Sequence, residues 1–212
     1  MYKPSKRVIA AAAAVAIAAA AAAGAAVAFT GAAADASVPH ISFQMVVSKG
    51  AAACMPGALA KVTIESQGPV EVMKISAAGL PPNTDFDLFI IQVPNAPFGL
   101  SVYQGDLDSD STGHAHGKFI GRFGVETFVV APGTAPAPVV FNNAFPDAST
   151  NPPTNPVQLY HLGLWFNSPK DAKAAGCPAT ITPFNGAHDA GIQALNTSKF
   201  PINAGPLFQV GP

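Results

Sequence analysis

Proline and glycine punctuate the chain beyond residue 36 so densely that only short runs lie between them, and those runs carry the β-branched and aromatic residues. Proline removes a ladder donor and breaks a helix interior, so a chain cut this way is confined to short elements. Short β-rich runs bounded by turn residues specify an all-β fold with many turns. The candidate strands are His40–Ser48, Ala58–Ser66, Val70–Ala77, Thr84–Val93, Leu100–Asp110 and His114–Phe123. They continue with Glu126–Ala131, Pro138–Phe141 and Val157–Phe166, and more weakly with Gly191–Leu195 and Leu207–Val210.

One short helix is expected near 169–175. In "NSPKDAKAAGCP" Ser168 can cap, Pro169 suits the first helical position and Asp171 the positive end, while Gly176 can terminate in the left-handed region. The proline-rich stretches 131–138 and 143–156 read as surface connections rather than ladder strands.

Residues 1–36 belong to a different kind of segment. Lys3, Lys6 and Arg7 precede a charge-free, alanine-rich run from Val8 to Phe29, and Ala34-Asp35-Ala36 offers small residues around a cleavage point. This is the pattern of a signal peptide, and the same run is long enough to serve instead as an N-terminal membrane anchor. Residues 37–212 are then expected to form a single β-sandwich domain in a secreted or cell-envelope protein. Three of the 11 basic residues and one of the 12 acidic ones fall in the leader, so the remainder carries a net charge of −3. With no basic stripe, nucleic acid and anionic membrane surfaces are poor partners. The two cysteines, Cys54 and Cys177, suit a disulfide in an exported chain, and there is no CxxC redox motif.

The stretch "GDLDSDSTGHAHGKF", residues 105–119, alternates three aspartates and then two histidines and a lysine at every second position. A three-residue turn at Ser111–Gly113, with glycine in the left-handed place, sets Asp110 against His114, Asp108 against His116 and Asp106 against Lys118. On the other face the same register sets Leu107 against Gly117 and Gly105 against Phe119. Every acid then meets a base across a hairpin, which is an architectural reading. The chemical reading is a copper or zinc site of His114, His116 and Asp108, since His-x-His places two imidazoles on one strand face. Lys118 and Arg122 share that face and repel a cation. A calcium loop fits worse, because Ser111 stands where glycine is needed and no glutamate ends the loop.

"GLPPNTDF" (79–86) resembles the turn that opens a strand in immunoglobulin-like and fibronectin type III sandwiches. There Leu80 plugs the core beneath the turn, and Phe86 stands where that family has a tyrosine. The stretches "APFGLSVYQGDLDSD", "LYHLGLWFNSP" and "ITPFNGAHDAGIQ" resemble an uncharacterised family of bacterial secreted proteins. Together these resemblances imply export and an immunoglobulin-like antiparallel β-sandwich, and they supply no activity.

The chain has no nucleophile elbow, phosphate loop, dinucleotide fingerprint or His-Glu-x-x-His. His161 lies in "VQLYHLGLWF" and reads as a hydrogen-bonded core histidine, with Trp165 as core beside it. His188 and Asp189 are adjacent and point apart, and Glu65, Glu71 and Glu126 have no distinctive context. No catalytic or cofactor-binding residue is assigned. The expectation is a non-enzymatic binding or envelope-associated structural module whose partner is a protein, a glycan or a cell-envelope ligand. A copper- or zinc-binding protein and a secreted hydrolase are the alternatives.

Overall fold

A computed structural model describes residues 40–126, 157–183 and 189–210. Residues 1–36, the candidate strand Pro138–Phe141, the stretches 131–138 and 143–156, and His188 lie outside them. Six strands open the described residues: β1 (His40–Val47), β2 (Leu59–Ser66), β3 (Glu71–Ala78), β4 (Phe86–Ile91), β5 (Ser101–Asp106) and β6 (Ala115–Gly121). They are followed by β7 (Val125–Glu126), β8 (Val157–Gln158) and β9 (His161–Phe166), then α1 (Pro169–Ala174). β10 (Thr182–Pro183), β11 (Asp189–Ala190) and β12 (Gln193–Asn196) complete the set.

Eight strands form one antiparallel ladder in the order β5-β4-β9-β12-β1-β2-β3-β6. Its weak joint lies between β1 and β12, which share only the pairs Val46↔Asn196 and Val47↔Leu195. β1 and β2, by contrast, pair along their length from His40↔Glu65 to Val46↔Leu59. The ladder folds over at that joint into two layers, β6-β3-β2-β1 and β12-β9-β4-β5. Val62, Ile64, Met73 and Ile75 from one layer and Phe86, Leu88, Ile90 and Leu164 from the other share a single buried core. The protein is therefore an all-β, two-layer antiparallel sandwich whose curled ladder approaches a barrel.

The strand expectations hold for the main ladder, with ends trimmed by a few residues. Val157–Phe166 divides into β8 and β9, and the short β10–β11 pair carries no sequence signal of its own. The expectation for Leu207–Val210 is overturned, because Pro206–Gln209 forms a 3-10 turn. Pro206 occupies its first turn, where its missing N–H costs nothing, and Leu207 and Val210 bury together at helical rather than strand spacing.

The helix is as expected. Ser168 Oγ accepts from the Asp171 N–H at 3.2 Å, and Gly176 adopts φ +75° just beyond the end. The helix delivers Cys177 to Cys54, and the disulfide joins residues 123 apart with Cα atoms 5.2 Å from one another. On the chain-entropy model a loop of this size stabilises by about 4–5 kcal/mol. Leu80 is buried, as the Gly-Leu-Pro turn requires, and its N–H donates to the Gly113 carbonyl at 3.1 Å.

Candidate functional site

Residues 105–119 turn where the sequence places the turn. The Asp110 N–H donates to the His114 carbonyl at 2.8 Å, Gly113 adopts φ +76°, and Ser109 bridges Ala115 in the expected register. Asp110 organises the tip, its Oδ1 accepting from the Thr112 N–H at 2.7 Å, the Thr112 hydroxyl at 2.7 Å and the His114 N–H at 3.0 Å. These bonds hold its carboxyl down at about 2. A Cβ at Gly113 would strike the Leu80 carbonyl, so the glycine also lets the tip close against the Gly-Leu-Pro turn.

Beyond the tip the expected ladder fails. β5 pairs with β4 and β6 pairs with β3, so these two strands are the opposite ends of the folded ladder and meet along a seam. Gly105, at φ +144°, sits beside a register shift that steers β5 toward β4. The apolar half of the expected register survives as packing. A Cβ on Gly105 would lie 3.0 Å from the Phe119 ring, and one on Gly117 would lie 2.8 Å from Leu107.

The charged half does not survive. Among the described residues no ion pair joins Asp108 to His116 or Asp106 to Lys118. Instead Asp106 is opposite Asp87, and Lys118 is opposite Lys74. His116 stands on the exposed face of β6 opposite Ser76, Asp108 follows β5, and the Nδ1 of His114 lies 2.9 Å from the Thr112 hydroxyl at the tip. Among the described residues no three histidine, cysteine, aspartate or glutamate side chains gather into a group able to hold a metal ion.

Two charged surfaces result. At the β4–β5 end, Asp85, Asp106 and Asp108 are exposed beside Tyr103, whose hydroxyl donates to Asp106 Oδ1 at 2.5 Å. Burial first, and then the bond to Asp106 and the surrounding carboxylates, push the Tyr103 hydroxyl up to about 12. Asp108 is also raised, by desolvation and then by the charges of Asp85 and Asp106. On the outer face of the other layer, Lys118 faces Lys74, and His116 faces Ser76, which in turn faces Lys61 on β2. Sequence reading missed both groupings, because Lys61, Lys74 and Asp85 come from strands whose partners only the ladder reveals.

His161 is buried with both ring nitrogens engaged. The Ile202 carbonyl, 3.0 Å from Nε2, can only accept, so Nε2 carries the proton. Nδ1 then accepts from the Thr197 hydroxyl at 2.9 Å, and Thr197 accepts the Leu162 N–H at 3.2 Å. Desolvation lowers the His161 pKa and keeps the ring neutral. Trp165 is buried outside the main core with Phe89, Ile91 and Ala190, and the Phe98 ring packs edge-on to it at 5.0 Å. Both residues are thus core, as their apolar surroundings imply.

The three glutamates stand apart on β2, β3 and β7. Glu65 pairs with Lys74 at 3.5 Å. Glu71 is buried, accepts the Phe123 N–H at 2.8 Å and meets Arg122 at 3.5 Å, while burial raises Glu126. No family model matches the chain, and no curated protein matches it significantly.

Proposed function

We propose that the protein is an exported, non-enzymatic sandwich scaffold that binds or organises material of the cell envelope. The disulfide between Cys54 and Cys177 is the observation that carries this reading. It fastens the loop after β1 to the end of α1, a cross-link suited to an oxidising compartment. The leader-like residues 1–36 and the resemblance to secreted bacterial proteins support the same reading, and no helix among the described residues is long and apolar enough to cross a membrane. The immunoglobulin-like description rests on the buried Leu80 and Phe86 of the Gly-Leu-Pro turn.

Cell fractionation with thiol labelling tests this proposal. The protein is expected in the extracytoplasmic fraction, with both cysteines unreactive until reduced, and to co-sediment with isolated envelope. A reduced protein confined to the cytoplasm sinks it. Metal analysis of the purified chain beside a His114→Ala/His116→Ala variant separates the scaffold from a copper or zinc carrier. Stoichiometric metal that is lost with the two imidazoles would replace the scaffold reading.

A further inference from the structure

Residues 197–210 follow β12 as a strap that adds no strand to the ladder. Its own backbone bonds, Phe200 to Thr197, Ala204 to Pro201, Phe208 to Gly205 and Val210 to Leu207, close short turns within it. Beyond β12, and among the described residues, every other hydrogen bond of the strap ends on Tyr160, His161 or Leu162. The Leu207 N–H donates to the Tyr160 carbonyl at 3.1 Å, and the Leu162 N–H reaches Thr197 Oγ at 3.2 Å. The His161 ring holds the rest, Thr197 Oγ at 2.9 Å and the Ile202 carbonyl at 3.0 Å. The strap is also pressed onto this ring, since a Cβ at Gly205 would lie 2.7 Å from its Cε1.

This attachment requires an uncharged imidazole. Nε2 donates to Ile202 and Nδ1 accepts the Thr197 hydroxyl, whereas an imidazolium has no acceptor to offer. Its new Nδ1–H would turn on Thr197 Oγ and leave the hydroxyl proton without a partner in a fully buried place, where a lone donor and a lone charge are both costly. Nothing around the ring offsets the charge. β4 sets Ile91 opposite His161, β12 leads directly into Thr197, and Tyr160 lies beside it with ring centres 6.4 Å apart. Lys199, the strap's one titratable side chain among the described residues, is exposed, and no carboxylate is among the influences on the ring.

We propose that residues 197–210 form an acid-released strap: a proton taken up from water by His161 detaches them from residues 160–162 while the ladder stays folded. The Phe200 ring packs edge-on to Phe43 at 6.3 Å, and Leu207 and Val210 are buried in the main core, so release bares an apolar part of the sandwich. The opening is local, because no ladder strand loses a neighbour and the disulfide ties together segments outside the strap.

Amide hydrogen exchange on the full chain, corrected for the intrinsic pH dependence of exchange, tests the proposal. Below about pH 6.5 the protection of the Leu162 and Leu207 amides is expected to fall about tenfold per pH unit, the slope of one proton bound on release. Val62 and Ile75, inside the β2–β3 ladder, should keep theirs. His161→Gln carries no titrating group there and should show no such slope. A slope shared equally by Val62 and Ile75 means global unfolding and overturns the proposal. So does a slope that persists in His161→Gln, or one that is absent from the wild type. Should the variant fail to fold, the ring signals of His161 in the wild type decide by NMR. The ring must gain its proton over the pH range in which Leu207 loses protection, and an imidazolium formed while the strap amides stay protected overturns the release.

Discussion

The two layers of the sandwich differ in how many of their faces are covered. Along β3 burial alternates from residue to residue, whereas β4 and β9 are buried at all six positions. The first layer turns Lys61, Lys74 and Lys118 to solvent, as an antiparallel sheet with one wet face does. The second layer has apolar side chains on both faces, and its outer one is a small second core around Trp165. A strand covered on both sides has no alternation to read, so its sequence becomes a largely apolar run such as "FDLFII", interrupted only by the buried Asp87.

Truncation should separate the two faces most sharply. Trp165→Ala, which empties the second core, is expected to cost about 3–5 kcal/mol in denaturant unfolding, whereas Lys74→Ala on the opposite outer face should change stability by less than about 0.5 kcal/mol. Comparable losses at the two positions would show that the outer face of the second layer contributes no more than a solvated one. A smaller effect is expected at Gly163, over which the indole lies. A Cβ there would come within 2.6 Å of the ring, so Gly163→Ala should cost about 1–3 kcal/mol through overpacking. A neutral result in thermal unfolding would mean that the ring can move aside.

The sequence legibly marks faces and turns, and it marks strand neighbours poorly. In residues 105–119 the turn, the tip register and the covering of Gly105 by Phe119 all follow from local spacing. The acid–base ladder fails because period-2 alternation says which face a side chain occupies and is silent about which strand lies beside it. Asp106 and Lys118 would alternate identically against each other or against Asp87 and Lys74. His161 was readable as a core histidine from its apolar flanks, while its partners Thr197 and Ile202 lie 36 and 41 residues away and leave no local trace. The 3-10 turn at Pro206–Gln209 was hidden because Leu207 and Val210 fit a strand until the i, i+3 spacing is given weight.

The buried and exposed titrating groups extend the comparison to pH. The His161 pKa lies below its unfolded value of about 6.5, so the unfolded chain binds the proton first as pH falls. Its contribution to stability is complete above that value and is lost as pH drops from it toward the folded pKa. The segment carrying Thr197 and Ile202 should loosen first, since the neutral ring holds both residues. Melting temperatures at pH 7.5 and 5.5 should therefore differ more for the wild type than for His161→Gln, and equal differences would show that the folded ring takes up its proton as readily as the unfolded one.

Asp110 provides the opposite sign at the exposed end of the seam. Its folded pKa, about 2, lies below the unfolded value of about 3.9, so its contribution is present above the unfolded value and disappears as pH falls through the folded one. The effect is local and small, because the carboxylate is solvated and the bonds it accepts come from its own turn. Asp110→Asn keeps one amide oxygen for those donors and removes the charge, so it should abolish the acid-dependent change in Thr112 and His114 amide shifts while leaving the Ser109–Ala115 bridge intact. If the variant also separates β5 from β6, the tip carries more of the seam than the packing of Phe119 on Gly105 and Leu107 on Gly117 allows.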